Sequence, residues 1–370
     1  MKKRVIALLV GLMTAIMVAG CGSEPEPVAD YSEDDFEEYE EGEDEELQEE
    51  TPVLDGQYTL VLRSSQSPYW QAVINGANDA AGKAGVGLNV LASDDENDTA
   101  AQSALISEAA GSGVKGIGVY VGDQNAVSAA VEEALAAQIS VAVVSAGTEA
   151  EGALAAQKLY PKVAPITERM EQIRIGVITD DLSNQANTAR GMGFINELIS
   201  LAKAEEKTVA VIGEEQFVSA VTENNAEIEA DILIEAMQVM NNAGSEDAEA
   251  AVEDPVYNFL LQSDAMGLFT TSAYAAENVI AANDRVGILG SEPETTILGI
   301  GYGQSLLLRE AVEGGRMFGA ITPAPYLTGI SLVEKISQSD KTGTEVVDQT
   351  SVWYDIDNIG SEEITRNFYE

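Results

Sequence analysis

From Tyr58 onward the chain alternates short apolar runs with longer Ala-rich stretches whose apolar residues recur every three to four positions. Tyr58–Leu62 reads as a strand, and Tyr69–Ala84 as a helix with Trp70, Val73, Ile74 and Ala77 on one face. Val86–Leu91 is a strand, Thr99–Ala110 a helix stopped by Gly111 and Gly113, Gly116–Val121 a strand, Asn125–Ala137 a helix and Ser140–Val144 a strand. Strands without polar alternation are buried on both faces. This β-α-β-α-β-α-β succession therefore predicts a parallel sheet covered by helices.

The pattern then restarts. Ile173–Thr179 is a strand, Asn187–Ala204 a helix, Thr208–Ile212 a strand and Thr222–Ile234 a helix, with a weak strand near Val239. Glu246–Gln262 is a helix split at Pro255, Leu268–Thr271 a strand, Ala275–Ala282 a helix and Thr296–Ile300 a strand, followed by helices over Ser305–Val312 and Leu327–Ile336. The expected fold class is α/β, with two doubly wound parallel-sheet lobes and a cleft between the carboxyl ends of their strands.

The first 55 residues have another texture. Lys2, Lys3 and Arg4 precede an uncharged run, Val5 to Gly20, that ends in Val18-Ala19-Gly20 and is followed by Cys21, the single cysteine. A basic start, an apolar middle and small residues before a cleavage point make residues 1–20 a secretory signal. The cysteine behind the small residues resembles a bacterial lipoprotein signal. That resemblance implies a mature chain anchored to the extracytoplasmic side of the membrane through lipidated Cys21. Sixteen uncharged residues fall short of the roughly 18–20 a spanning helix needs. An uncleaved anchor and an exported free thiol are the weaker alternatives.

Residues 22–55 hold 17 Asp or Glu, three Pro and no Lys or Arg. Such a stretch cannot bury enough apolar surface to offset its ordering entropy, so it is expected to be disordered and self-repelling. Segment 21–55 then serves as an anchor and acidic linker, reaching about 110 Å when extended at roughly 3.3 Å per residue. Weak divalent-cation binding by the clustered carboxylates is the alternative, but a disordered segment offers no fixed ligand geometry.

Charge and composition narrow the chemistry. The formal net charge is −44, and −47 once Lys2, Lys3 and Arg4 are removed with the signal. That argues against nucleic acid and against adsorption to anionic lipid. The absence of histidine removes every histidine base and metal ligand, and the lone cysteine excludes an intramolecular disulfide. Neither a metal, a cofactor nor catalysis is expected. Gly111, Gly113 and Gly116 spell G-x-G-x-x-G, yet they follow a helix and open a strand, the reverse of a dinucleotide fingerprint. Asp94-Asp95-Glu96 and Glu214-Glu215 read as solvated loop carboxylates.

Tyr58-Thr59-Leu60-Val61-Leu62, Ser67-Pro68-Tyr69-Trp70, Gly76-Ala77 and Gly85-Val86 together resemble the start of the periplasmic sugar-binding proteins of the ribose-binding type. The likeness continues through Gly113 to Ile117 and Asp123 to Val127. It returns at Leu298-Gly299-Ile300 and from Gly314-Gly315-Arg316 through Gly329. It covers roughly residues 56–360. The resemblance implies a type I periplasmic-binding-protein-like solute-binding domain over 56–370. Lobe 1 is then about 56–175 plus 324–350, and lobe 2 about 176–323 plus 351–370. Three crossing segments are expected near Gly176–Asp181, Ala320–Pro325 and Thr350–Tyr354. The connection Glu149–Gln172 is longer than the family's usual one.

The same resemblance places ligand-stacking aromatics at Tyr69 and Trp70, preceded by Ser67 where the family has Asn. Its polar contacts are altered. An Asp-Arg pair is replaced by Ser145 and Ala146, and an Arg aligns near Thr222 or Asn224. Asn becomes Ser272, Asp becomes Gly301, and Gln becomes Pro323. Gln66, Tyr120, Asp123, Asp180, Tyr274, Tyr302 and Gln304, all on strand-end loops, are the candidates to replace those contacts. The expected function is that of a lipid-anchored, monomeric solute-binding protein of an ABC-type importer, binding a sugar or similar small polar ligand by hinge closure. The alternative is a non-transport sensor or surface interaction protein that kept the fold and altered the sugar site.

Overall fold

The structure, a computed structural model, describes residues 57–121, 124–145, 148–222, 224, 229–239, 254–338 and 344–369. Cys21, the acidic linker, Asp123 and the first half of the helix expected over Glu246–Gln262 lie outside the described residues.

The elements run β1 (Gln57–Leu62), α1 (Pro68–Ala84), β2 (Gly87–Ala92), α2 (Thr99–Gly111), β3 (Gly116–Tyr120), α3 (Gln124–Ala136), β4 (Ser140–Ser145) and α4 (Thr148–Val163). After a 3₁₀ turn at Ala164–Glu168 come β5 (Ile173–Thr179), α5 (Gln185–Ala204), β6 (Val209–Gly213), α6 (Glu215–Val218), β7 (Ile232–Gln238), α7 (Pro255–Leu260) and β8 (Ala265–Thr270). The chain ends with α8 (Ala273–Val286), β9 (Leu289–Gly290), β10 (Ile297–Tyr302), α9 (Leu306–Glu313), β11 (Gly319–Pro323), α10 (Pro325–Gln338), β12 (Thr344–Asp348), β13 (Ser351–Tyr354) and α11 (Glu362–Thr365).

Two sheets form. The first has the order β12-β4-β3-β1-β2 and is parallel throughout. The second has the order β13-β11-β10-β8-β5-β7-β6, with β9 beside β10. Within it, β13 alone runs antiparallel to its neighbour. The strands are apolar on both faces because helices cover both. In the second lobe α4 and α5 pack over one face of the sheet, around Phe194, Leu198 and Leu159. Helices α7, α8 and α9 cover the other, around Val256, Val279 and Leu308. Local signals set the helix ends: Pro68 opens α1 at a position needing no amide hydrogen, and Gly85, at φ +66°, closes it.

Three expectations are corrected. The first passage between sheets is not at Gly176–Asp181. β5 lies inside the second sheet, between β8 and β7, so the chain has already crossed between β4 and α4. The other passages, at Ala324 and at residues 349–350, fall within or beside the expected segments. Second, the helix read over Thr222–Ile234 runs into β7. Ile232, Ile234 and Ala236 are buried between β5 and β6, and a short apolar run mixed with Glu, Ala and Met carries no decisive period. Third, the long connection Glu149–Gln172 is mostly α4, a helix of the second lobe that packs on α5 and reaches β8, β10 and β11. Among the described residues no helix is long and apolar enough to cross a membrane.

Candidate functional site

The strand ends of the two sheets bring two unlike surfaces together. On the first lobe the surface is aromatic. Tyr69, on the first turn of α1, and Tyr120, the last residue of β3, place their hydroxyls 2.5 Å apart. Trp70 packs edge-on against both rings, 4.9 Å from Tyr120 and 5.1 Å from Tyr69. It belongs to the lobe's core with Val73 and Leu60, so it backs the surface more than it faces it. Gln102 fixes the end of β3 by donating from its side chain to the Tyr120 carbonyl, 2.7 Å.

On the second lobe the surface is polar. Asp180 follows β5 and accepts at Oδ1 from Asn187 Nδ2 (2.8 Å) and from the Ser272 hydroxyl (2.6 Å). Its carbonyl accepts from Gln238, 2.8 Å. Ser272 also caps α8, accepting from the Ala275 amide. Among the described residues Asp180 Oδ2 makes no hydrogen bond. Asn187 hands the network on to Arg190, one turn along α5, whose guanidinium also donates to the Thr271 carbonyl.

Arg190 pairs with Glu151 of α4, Nε to Oε2 at 2.7 Å, and both are buried. Its guanidinium lies 3.5 Å over the centre of the Tyr302 ring. The other Glu151 oxygen accepts from the Tyr302 hydroxyl (3.1 Å) and from Ser351 (2.8 Å), where β13 begins. The close crossing of α4 and α5 fixes this geometry. A Cβ on Gly152 would stand 1.9 Å from the Arg190 carbonyl oxygen, and one on Gly193 2.0 Å from that of Glu149.

Tyr369 closes the arrangement. Gln304 holds its backbone twice, donating to its carbonyl (2.7 Å) and accepting from its amide (3.2 Å). Its ring meets Tyr69 edge-on at 5.0 Å. Burial raises the pKa of all four phenols. Tyr120 and Tyr369 are pushed up to about 12, by loss of water first and, for Tyr369, then by Tyr120 and Glu151. Tyr69 and Tyr302 are pushed higher, burial again leading, followed by Tyr120 and Glu151 respectively. At neutral pH the rings are uncharged hydrogen-bonding groups beside a matched ion pair.

The structure thus gathers Tyr69, Tyr120, Tyr302 and Gln304 around Tyr369, with Trp70 behind them, and joins Asp180 to Ser272 at strand ends of the second lobe. Gln66 is exposed at the rim, and Ser67 precedes α1 with no capping bond from its side chain. Ser145 ends β4. Asn224 is elsewhere: its amide bonds both backbone groups of Val211 on edge strand β6, at 2.9 and 2.7 Å. Sequence reasoning missed Asn187, Arg190, Glu151, Ser351 and Tyr369. A charged residue on an otherwise small or apolar helix face, as at Glu151-Gly152-Ala155 and Arg190-Gly191-Phe194, was the available signal.

Comparisons with known proteins bear on the fold. A model of the periplasmic binding protein domain matches residues 58–338. No curated protein matches by sequence. A solved structure from Brachyspira murdochii, described as an ABC transporter, LacI family transcriptional regulator, aligns at TM-score 0.53 and 18% identity, covering 85% of this chain and 99% of the other. AraP, an arabinose binding protein from Geobacillus stearothermophilus, aligns at 0.53 and 15%, covering 85% and 99%. A solute binding protein from Burkholderia graminis, solved with D-arabinose, aligns at 0.50 and 15%, covering 83% and 98%. At such identities these structures speak to the fold. With a matched domain spanning most of the chain and two parallel-sheet lobes whose strand ends face one another, the protein belongs to the periplasmic binding protein domain family, with the type I fold.

Proposed function

We propose that the protein is an extracytoplasmic solute receptor that takes a sugar or similar small polar ligand between its lobes and presents it to an ABC-type importer. The observation that carries this reading is the meeting of the Tyr69–Tyr120 pair of the first lobe with Tyr369 and Tyr302 of the second, whose lobe also holds the polar network of Asp180, Asn187 and Ser272 at its strand ends. Aromatic faces gain by covering the apolar face of a sugar ring, and a carboxylate oxygen that bonds none of the described residues can accept a hydroxyl through a charge-assisted hydrogen bond. AraP and the Burkholderia protein, which share the fold, are described with arabinose. Lipidation at Cys21 and the acidic linker would keep the receptor close to its permease. Calorimetry against pentoses, hexoses, nucleosides and amino acids tests the reading. Saturable heat with a pentose or hexose supports it, and silence across the panel removes it.

A second reading, a sensor or surface interaction protein, is favoured by one observation: Glu151 and Arg190, buried beside Tyr302, are spent on each other rather than open to a ligand. Recovery of the detergent-solubilised protein with a permease distinguishes the two, since a sensor has no reason to carry one.

A further inference from the structure

The segment 361–369 touches both lobes. On the first, Arg366 donates to the Tyr326 hydroxyl (2.8 Å), which itself donates to Asp79 of α1 (2.5 Å). Asn367 accepts from the Leu327 amide of α10. On the second, Gln304 grips the backbone of Tyr369, and Phe368 packs edge-on against Tyr354 of β13. Arg309 of α9 lies 5.2 Å over the Phe368 ring. Two open cavities flank the segment. One, of about 670 Å³, is lined by Gln66, Gln71, Asp79 and Tyr326. The other, of about 550 Å³, is lined by Tyr302, Gln304, Leu306 and Pro323. Tyr369 lines both, and so forms the wall between them.

The ring's position is informative. Tyr369 meets Tyr69 at 5.0 Å and 88°, which leaves no layer for a further ring between them. It stands against the residue that the proposed function assigns to ligand stacking. We propose that Tyr369 is a built-in occupant of the ligand site. Gln304 holds it there, and segment 361–369 pins the two lobes together in the ligand-free protein. A ligand must displace this ring to reach Tyr69, so its apparent affinity falls by the fraction of molecules in which the ring has left. The site identity rests on the proposed function; the pinning does not.

Hydrogen exchange on the ligand-free full chain tests the pinning, with Gln304→Ala, Tyr369→Ala and Tyr369→Phe compared to the parent. Gln304 lies on the second lobe. Faster exchange over residues 66–72 of the first lobe in Gln304→Ala therefore reports loss of a connection across the cleft. Tyr369→Ala is expected to do the same, and Tyr369→Phe to keep protection. Unchanged exchange in both alanine variants overturns the pin, provided each melts as cooperatively as the parent. Competition is read by titrating D-arabinose and D-glucose. If the ring sits on Tyr69 in nine of ten molecules, Tyr369→Ala binds about tenfold tighter. Equal or weaker binding overturns the occupant role. If neither sugar binds parent or variant, the proposed function fails for these sugars, while the exchange result still decides the pin.

Discussion

Glu151 and Arg190 meet 2.7 Å apart in the interior of the second lobe, one from α4 and the other from α5. Removing one charge strands the other away from water, which costs about 3–5 kcal/mol. Glu151→Ala and Arg190→Ala should each lower the urea midpoint sharply. Glu151→Leu combined with Arg190→Met should recover most of that loss. A double variant no better than the sum of the singles would mean that the two charges do not act as a pair.

The α4–α5 crossing admits no side chain at its closest points. Gly193→Ala would put a methyl 2.0 Å from the Glu149 carbonyl oxygen, so the helices must separate. Overpacking of this kind costs about 1–3 kcal/mol. Chemical denaturation should show that loss, and Tyr302, deprived of a well-placed Glu151, should become more accessible to modification.

The phenol cluster sets a limit on alkaline stability. Tyr120 and Tyr369 hold their protons up to about pH 12 when folded, against about 10 in an unfolded chain. The folded state then binds more protons between those values, so stability declines as pH rises across that window. It is fully present below pH 10. Absorbance at 295 nm should show a late tyrosinate step beyond pH 11. Tyr120→Phe should shrink that step and flatten the fall in melting temperature between pH 10 and 12.

Asp180 offers a direct test of ligand recognition. Its Oδ1 is occupied by Asn187 and Ser272, leaving Oδ2 for a ligand hydroxyl. A hydrogen bond to a charged group contributes about 1.5–3 kcal/mol, so Asp180→Asn should weaken any sugar found to bind by roughly 10- to 100-fold. Calorimetry on parent and variant reads this directly. Equal affinities would place the ligand away from Asp180.

Much of this architecture was legible in the sequence. Fully buried parallel strands are continuous apolar runs, and β1, β3, β5, β8 and β10 were readable as such. Tyr120 and Asp180 stand out because they sit where such runs stop, whereas Tyr69 stands out only through the family resemblance of its Pro-aromatic turn. What escaped had weaker local signals. β7 mixes Glu, Ala and Met into its apolar run, and β12 and β13 are short strands recruited by distant partners. The Glu151–Arg190 pair joins residues 39 positions apart, a distance no periodicity spans. Tyr369 lies outside any long element, and only the Gln304 amide gives its position meaning.

Asn224, expected near the ligand, serves the backbone of Val211 instead. β6 is the outermost strand on its side of the second sheet, and exposed strand edges are templates on which other chains can add. By filling one register position with its own carboxamide, the chain removes part of that template. Asn224 thus takes up the Val211 amide and carbonyl that an added strand would otherwise find open on this edge.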